Sequence, residues 1–226
     1  MPNIIALIPA RFGSKGIKQK NILLFNGKPL LAHSIIYATK SSLISEIIVS
    51  TDSKEFANIA NQYGARTPFL RPLSLSGDDV QDFPVIEHAV NFLENENNKK
   101  IDYVALLRPT SPLRPPNLIE KAYEIIKKNK KGTSVRSVIP TNQHAYRQWF
   151  LDDNKIVSPM KNIFEPYNIP RQILPKSYFQ SGDIEFIKRD TLNQNSVSGK
   201  YVLPLILESK DLFDIDTPKD LESRPK

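Results

Sequence analysis

Apolar positions along this chain follow two alternating rhythms. Ile4-Ile5-Ala6-Leu7-Ile8 is a short continuous run, the pattern of a strand buried on both faces. After Pro29, placed where a first-turn proline is tolerated, Leu30, Leu31, Ser34, Ile35 and Ala38 recur on one helical face. Ile47-Ile48-Val49-Ser50-Thr51 reads as a second buried strand. Asp52 is positioned to cap the following helix, with Glu55 at its third position; Phe56, Ile59, Ala60 and Tyr63 form the stripe and Gly64 stops it. A short strand is expected around residues 66–71, then a loop over 72–82. Val85, Ile86, Ala89, Val90 and Leu93 trace the next helix. A strand over 102–107 leads through another loop to a helix from about residue 116 to 128.

Strands and helices alternating in this way specify an α/β fold: a mostly parallel sheet with helices on both faces and right-handed crossovers. Loops leaving the carboxyl ends of such strands, here after Ile8, Thr51, Arg71 and Leu107, converge where ligands bind. The second half is less regular. A strand over 134–139 is followed by residues 140–180, which carry prolines, aromatics and the sole tryptophan, Trp149, without sustained periodicity. A structureless loop of that length is out of place in a compact domain. The segment is therefore expected to be an excursion with short strands of its own or a subunit contact, and Trp149 and Phe150 fit either core or contact. Strands near 183–188 and 201–207 return to the sheet, and Thr217-Pro218 opens a last helix. Residues 1–226 thus read as one domain, with the excursion at 140–180 inside it.

Composition narrows the chemistry. A chain of 226 residues, 40% hydrophobic, can bury a sizeable core. Its net charge of +7 comes from 31 basic and 24 acidic residues scattered along the chain. The one cluster, Lys127, Lys128, Lys130 and Lys131, sits at a helix end where cations complement the dipole, so nucleic-acid binding is not expected. A small anionic substrate suits the same balance. The absence of cysteine excludes disulfides and thiolate metal sites, and His33, His88 and His144 lack ligand spacing. No apolar run approaches the roughly 18 residues of a membrane span, and residues 3–9 lack the length and cationic leader of a secretion signal. No membrane association and a cytoplasmic location are expected.

Two stretches carry candidate chemistry. The first strand runs into Pro9-Ala10-Arg11-Phe12-Gly13-Ser14-Lys15-Gly16-Ile17-Lys18-Gln19-Lys20-Asn21. Small residues let backbone N–H groups approach an anion, while Arg11, Lys15 and Lys18 or Lys20 supply charge for phosphate oxygens. Neither the Walker spacing nor the dinucleotide fingerprint is met, and a solvated basic turn is the plain alternative. Near the end comes Phe213-Asp214-Ile215-Asp216-Thr217-Pro218. Alternate residues of an extended segment point the same way, so Asp214 and Asp216 can present two carboxylates to one point with Ile215 in the core. Such a pair suits Mg²⁺, which takes few carboxylates and completes its shell with phosphate oxygens and water. Alternatively, Asp216 is a surface residue beside a helix cap formed by Thr217.

Six motifs in order, Ile8-Pro9-Ala10-Arg11-x-Gly13-Ser14-Lys15-Gly16 with Lys20-Asn21, Val49-Ser50-Thr51-Asp52, Leu70-Arg71-Pro72, Pro109-Thr110-Ser111-Pro112-Leu113-Arg114, Pro170-Arg171-Gln172-x-Leu174-Pro175 and Asp214-Ile215-Asp216, span nearly the whole chain. Together they resemble the acylneuraminate cytidylyltransferase family, the CMP-sialic acid synthetases and relatives that activate other nonulosonic acids. The resemblance implies a Rossmann-like three-layer α/β/α nucleotidyltransferase fold, with the excursion serving dimerisation. It implies that the anomeric hydroxyl of a nonulosonic acid attacks the α-phosphate of CTP and pyrophosphate leaves, with Mg²⁺ as cofactor and a homodimer as the working form. Positioning and charge stabilisation suffice for such a reaction without a protein nucleophile.

By resemblance, Arg11, Gly13, Ser14 and Lys15 hold the triphosphate, and Arg11 and Lys15 offset charge on the leaving group. Asn21 reads the nucleotide, and Arg71 with Ser76 and Asp78 approaches cytosine or ribose. Asp214 and Asp216 hold Mg²⁺, and through the metal Asp216 takes part in catalysis. Thr110, Ser111, Arg171 and Gln172 lie toward the acceptor, the last two from across the dimer. The chain departs from the sialate pattern at Arg108, where glutamine is usual, and at Ser181-Gly182-Asp183-Ile184-Glu185, where Asn-Gly-Ala-Ile-Tyr is usual. These positions are on the acceptor side, so Arg108, Ser181, Asp183 and Glu185 are candidate contacts to a differently substituted nonulosonic acid or another acidic acceptor. An internal pair between Arg108 and Asp183 or Glu185 is the alternative. Other functions kept open are nucleotidyl transfer from another triphosphate to a sugar phosphate, and nucleotide binding without catalysis.

Overall fold

A computed structural model describes residues 1–153, 155–209 and 213–222, the side chain of Glu222 apart. Residue 154 of the 140–180 segment and the last four residues of the chain lie outside the described residues. Strand β1 (Ile4–Pro9) is followed by the tiny hairpin β2 (Leu24–Phe25) and β3 (Lys28–Pro29), then α1 (Leu30–Thr39), β4 (Ile44–Ser50) and α2 (Lys54–Gln62). Next come α3 (Asp82–Asn97), β5 (Tyr103–Leu106), α4 (Leu118–Lys128) and β6 (Ser134–Pro140). The chain continues through β7 (Phe150–Asp152), β8 (Lys155–Val157), β9 (Tyr178–Lys188), α5 (Arg189–Leu192), β10 (Val202–Ile206) and α6 (Pro218–Glu222).

Among the described residues the central sheet has the order β10-β6-β9-β5-β1-β4. All its strands run the same way except β9, which is antiparallel to both neighbours, β5 and β6. The alternation of side chains along β1 divides the core. Ile4, Ala6 and Ile8 pack with α1, α2 and α4, whereas Ile5 and Leu7 pack with α3 and α5. Helices thus cover both faces, giving the three-layer arrangement that continuous apolar strands require.

Two local expectations are corrected. Ser53, not Asp52, caps α2: the Ser53 hydroxyl accepts from the Phe56 amide at 3.3 Å. Asp52 instead accepts from the Phe12 amide at 2.7 Å, so its carboxylate is used to hold the loop after β1. Residues 66–71 do not form a strand. Arg66 bridges β4 alone, and Pro68, lacking an N–H, cannot extend the ladder. The backbone bonds again beside β4 only at Arg71, whose amide donates to the carbonyl of Thr51, the residue after the strand, at 2.7 Å.

Strand β9 begins earlier than expected. Its register against β6 slips between Arg136, opposite Glu185, and Val138, opposite Gln180. Gly182, at φ +79°, lies in that slip, where a left-handed turn favours glycine. The segment between β6 and β9 holds the β7–β8 hairpin and several 3₁₀ turns, so it has short strands of its own.

Candidate active site

The loops leaving β1 and β5 and the segment between α2 and α3 meet the segment before α6 around a cleft of about 340 Å³. The loop after β1 is built onto that last segment. A β-carbon on Gly16 would lie 2.5 Å from the Asp216 carbonyl oxygen, so only glycine lets the two backbones come this close. Lys20 Nζ lies 2.6 Å from Asp216 Oδ1, tying the same two segments by charge. Gly13 differs: a β-carbon there would meet nothing within 4 Å. Asn21, nearly buried, donates from Nδ2 to the Arg11 carbonyl at 2.9 Å and so fixes the bend from within.

Arg11 and Lys15 converge on one carboxylate. Arg11 Nη1 is 2.5 Å from Asp78 Oδ1, and Lys15 Nζ is 3.0 Å from Asp78 Oδ2. These two hydrogen bonds hold the Asp78 carboxyl below its ordinary range. Lys15 is 76% exposed, so the contact is free to exchange for another anion. The Ser76 carbonyl accepts from Arg11 at 3.5 Å. Arg71 lines the cleft from a buried position, donating to the hydroxyl and carbonyl of Ser50, and burial lowers its pKa to about 10.

Ile215 is fully buried with Phe25, Leu30 and Phe213; of its neighbours, Asp214 is half-buried and Asp216 lines the cleft. The Ile215 amide donates to the Thr110 carbonyl at 2.9 Å, and Ser111 Oγ is 3.5 Å from Asp214 Oδ1, so the loop after β5 props the pair. Burial, and then repulsion from Asp216, raises the Asp214 pKa, against a hydrogen bond from Thr110. Asp216 is largely exposed and lines the cleft. Two hard oxygen donors, one destabilised as an anion and the other already holding an ammonium, are a fit for a cation. Among the described residues no larger group of His, Asp or Glu gathers.

A family model for cytidylyltransferases matches residues 5–222. The chain belongs to the cytidylyltransferase family. It is 38% identical over 222 residues to the CMP-N,N'-diacetyllegionaminic acid synthase of Legionella pneumophila, covering 96% of this chain and 92% of that one. It is 35% identical over 221 residues to the N-acylneuraminate cytidylyltransferase of Escherichia coli, covering 97% of this chain and 50% of that one. Its fold resembles that of a CMP:2-keto-3-deoxy-manno-octonic acid synthetase complexed with CTP, at a TM-score of 0.71 and 16% identity, with 98% and 96% of the two chains covered.

In this cytidylyltransferase the cleft gathers Arg11, Ser14, Lys15, Asn21, Arg71, Arg108, Thr110 and Asp216 from separate parts of the sequence. Ser76 and Asp78 reach it through Arg11. Ser111, Ser181, Asp183 and Glu185 are buried and do not line it. Arg108 pairs with Glu185 at 2.6 Å, one of the internal pairings that the sequence left open, and also with Asp82 at 2.5 Å. Arg171 and Gln172 lie exposed in a 3₁₀ turn, Arg171 beside a separate hollow with His144, Arg147 and Lys176. Sequence reasoning missed Asp82 and Arg136. The second was readable as a charge inside the apolar strand β6, whereas Asp82 had no signal beyond its place at a helix start.

Proposed function

We propose that this cytidylyltransferase transfers CMP from CTP to the anomeric hydroxyl of a nonulosonic acid. The hydroxyl oxygen bonds to the α-phosphorus, the bond to the bridging oxygen breaks, and pyrophosphate departs with its electron pair. One observation carries the reading: Arg11 and Lys15 both grip the Asp78 carboxylate in a cleft that Asp216 also lines. Asp78 stands where an anion is wanted, and a triphosphate would replace it. Arg11 and Lys15 would then neutralise charge growing on the leaving oxygens. Ser14 and the open backbone at Gly13 would accommodate the phosphates, and Asn21 and Arg71 would bound the nucleoside.

Asp214 and Asp216 would hold Mg²⁺ with phosphate oxygens completing its shell; when bound, it supplies Lewis-acid polarisation and favours loss of the hydroxyl proton. Of the departures from the sialate pattern, Arg108 lines the cleft and supports an acceptor substituted differently from N-acetylneuraminate, whereas Ser181, Asp183 and Glu185, buried away from the cleft, are not proposed as contacts to it. Exposed Phe150, Leu151, Phe164 and Phe179 in the segment after β6 support a homodimer, which would bring Arg171 and Gln172 toward the partner's cleft. Among the described residues no helix is long and apolar enough to cross a membrane, and a cytoplasmic enzyme drawing on the CTP pool accords with that.

The test is pyrophosphate release with each of the four nucleoside triphosphates, with and without Mg²⁺, over a panel of nonulosonic acids, with products identified by mass. Turnover with CTP alone, requiring Mg²⁺ and yielding a CMP-sugar, is expected. Equal use of another triphosphate refutes the donor assignment. Efficient turnover of N-acetylneuraminate refutes the acceptor assignment.

A further inference from the structure

Behind one wall of the cleft lies a row of alternating charges. Glu185 on β9 faces Arg136 of β6 in one ladder and Leu106 of β5 in the other. Its side chain is 2% exposed and meets two guanidinium groups. Arg136 Nη2 donates to Glu185 Oε2 at 2.6 Å, while Arg108 Nη1 lies 2.6 Å from Oε1, as an ion pair outside hydrogen-bond alignment. Arg108 Nη2 donates to Asp82 at 2.5 Å, on the first turn of α3 where the helix dipole favours a carboxylate. Arg136 is pinned in turn by Gln180 at 2.5 Å and Ser198 at 2.9 Å. Arg108 and Asp82 line the cleft; Glu185 and Arg136 do not.

Buried ion pairs contribute little net stability compared with apolar residues of the same volume, but they fix geometry well. This row has a fixed end, at Arg136, and an end open to the cleft, at Asp82 and Arg108. With a carboxylate on either side, the Arg108 charge is already offset, so the wall offers no spare cation for an acidic group. It offers directed N–H donors from Arg108 beside the acceptor oxygens of Asp82. A neutral group that both donates and accepts, an amide or a hydroxyl, is the complement of that pair.

Resting on the cytidylyltransferase reading above, we propose that Glu185 and Arg136 are positioning residues that hold Arg108 at the cleft wall. Arg108 and Asp82 together read a neutral amide or hydroxyl substituent of the acceptor sugar.

The test compares wild type with R136M/E185M and R136K, using the best wild-type acceptor and an analogue with one acetamido exchanged for hydroxyl. Removing both partners of a buried pair leaves no orphan charge between them, so R136M/E185M is expected to fold. Its acceptor KM should rise about tenfold or more while the KM for CTP stays within about twofold, the size expected for one lost directed contact. R136K, which keeps the charge but not the planar fork, should show an intermediate rise. The preference between acetamido and hydroxyl acceptors should shrink in both variants; the sugar whose KM moves more identifies which group is read. An unchanged acceptor KM in a folded R136M/E185M overturns the proposal, as does a parallel rise in the KM for CTP. If R136M/E185M does not fold, an unchanged acceptor KM in R136K has the same force. Wild type is run alongside: absence of any CMP-sugar from it condemns the functional reading rather than the positioning one.

Discussion

The two walls of the cleft handle charge in opposite ways. On the side of the loop after β1, Arg11 and Lys15 sit near solvent and share one exposed counterion, Asp78. On the side of β9, the buried Glu185 carboxylate holds Arg136 of β6 and Arg108 of the loop after β5. An exposed pair costs little to open, because water re-solvates both partners; a buried one, once broken, leaves a charge in low dielectric. The first wall is therefore able to release its own anion and take another. The second is able to hold a shape. A donor common to many reactions needs the former, and discrimination among similar sugars needs the latter.

The most severe break is expected at the exchangeable wall. Lys15→Ala should lower kcat by about 10²-fold or more, by analogy with loss of a donor that stabilises transition-state charge, while the melting curve hardly moves because the side chain is exposed. Steady-state kinetics beside a thermal melt test this. Near-normal kcat would remove Lys15 from the transition state.

At the fixed wall the order of effects reverses. Glu185→Ala leaves Arg108 and Arg136 facing each other without their shared carboxylate, and about 3–5 kcal/mol of stability should be lost. Chemical denaturation measures the loss. A cost below about 1 kcal/mol, the range of exposed pairs, would mean that water reaches this network and that the contrast between the walls is false.

The same contrast decided what could be read from the sequence. The continuous apolar run of β1 and the helical stripes at Ile35 and Ile86 gave the layers, because burial on a regular element imposes a period on nearby residues. The loop after β1 and the Asp214/Asp216 pair were legible because their chemistry is concentrated within a few positions. What they share was not: the approach of Gly16 to the Asp216 carbonyl depends on closure over the length of the chain. Direction was equally hidden. β9 has the composition of a buried strand whichever way it runs, and its antiparallel course is what sets Glu185 beside Arg136. Asp52 reads as a helix cap because cap residues are recognised locally, and the amide of Phe12 that claims it lies far away in sequence.

A smaller effect separates the two carboxylates of the Asp214/Asp216 pair. The Asp214 pKa is raised in the folded chain, chiefly by burial, so between the unfolded value near 3.9 and the raised one the native state binds more protons. Stability contributed by that proton is lost as pH rises through this window, with a slope of at most about 1.4 kcal/mol per pH unit. Asp78 and Asp220 work in the opposite direction: their pKa values are lowered, and the stability they contribute is lost as pH falls. The raw pH profile mixes the two signs, so the informative quantity is the difference between wild type and Asp214→Asn in urea denaturation across this range. The wild type should lose ground to the variant as pH rises from about 4, because asparagine cannot ionise in the buried position. A difference flat in pH would mean that Asp214 is solvated as freely as Asp216, and the two carboxylates would then belong with the exchangeable wall.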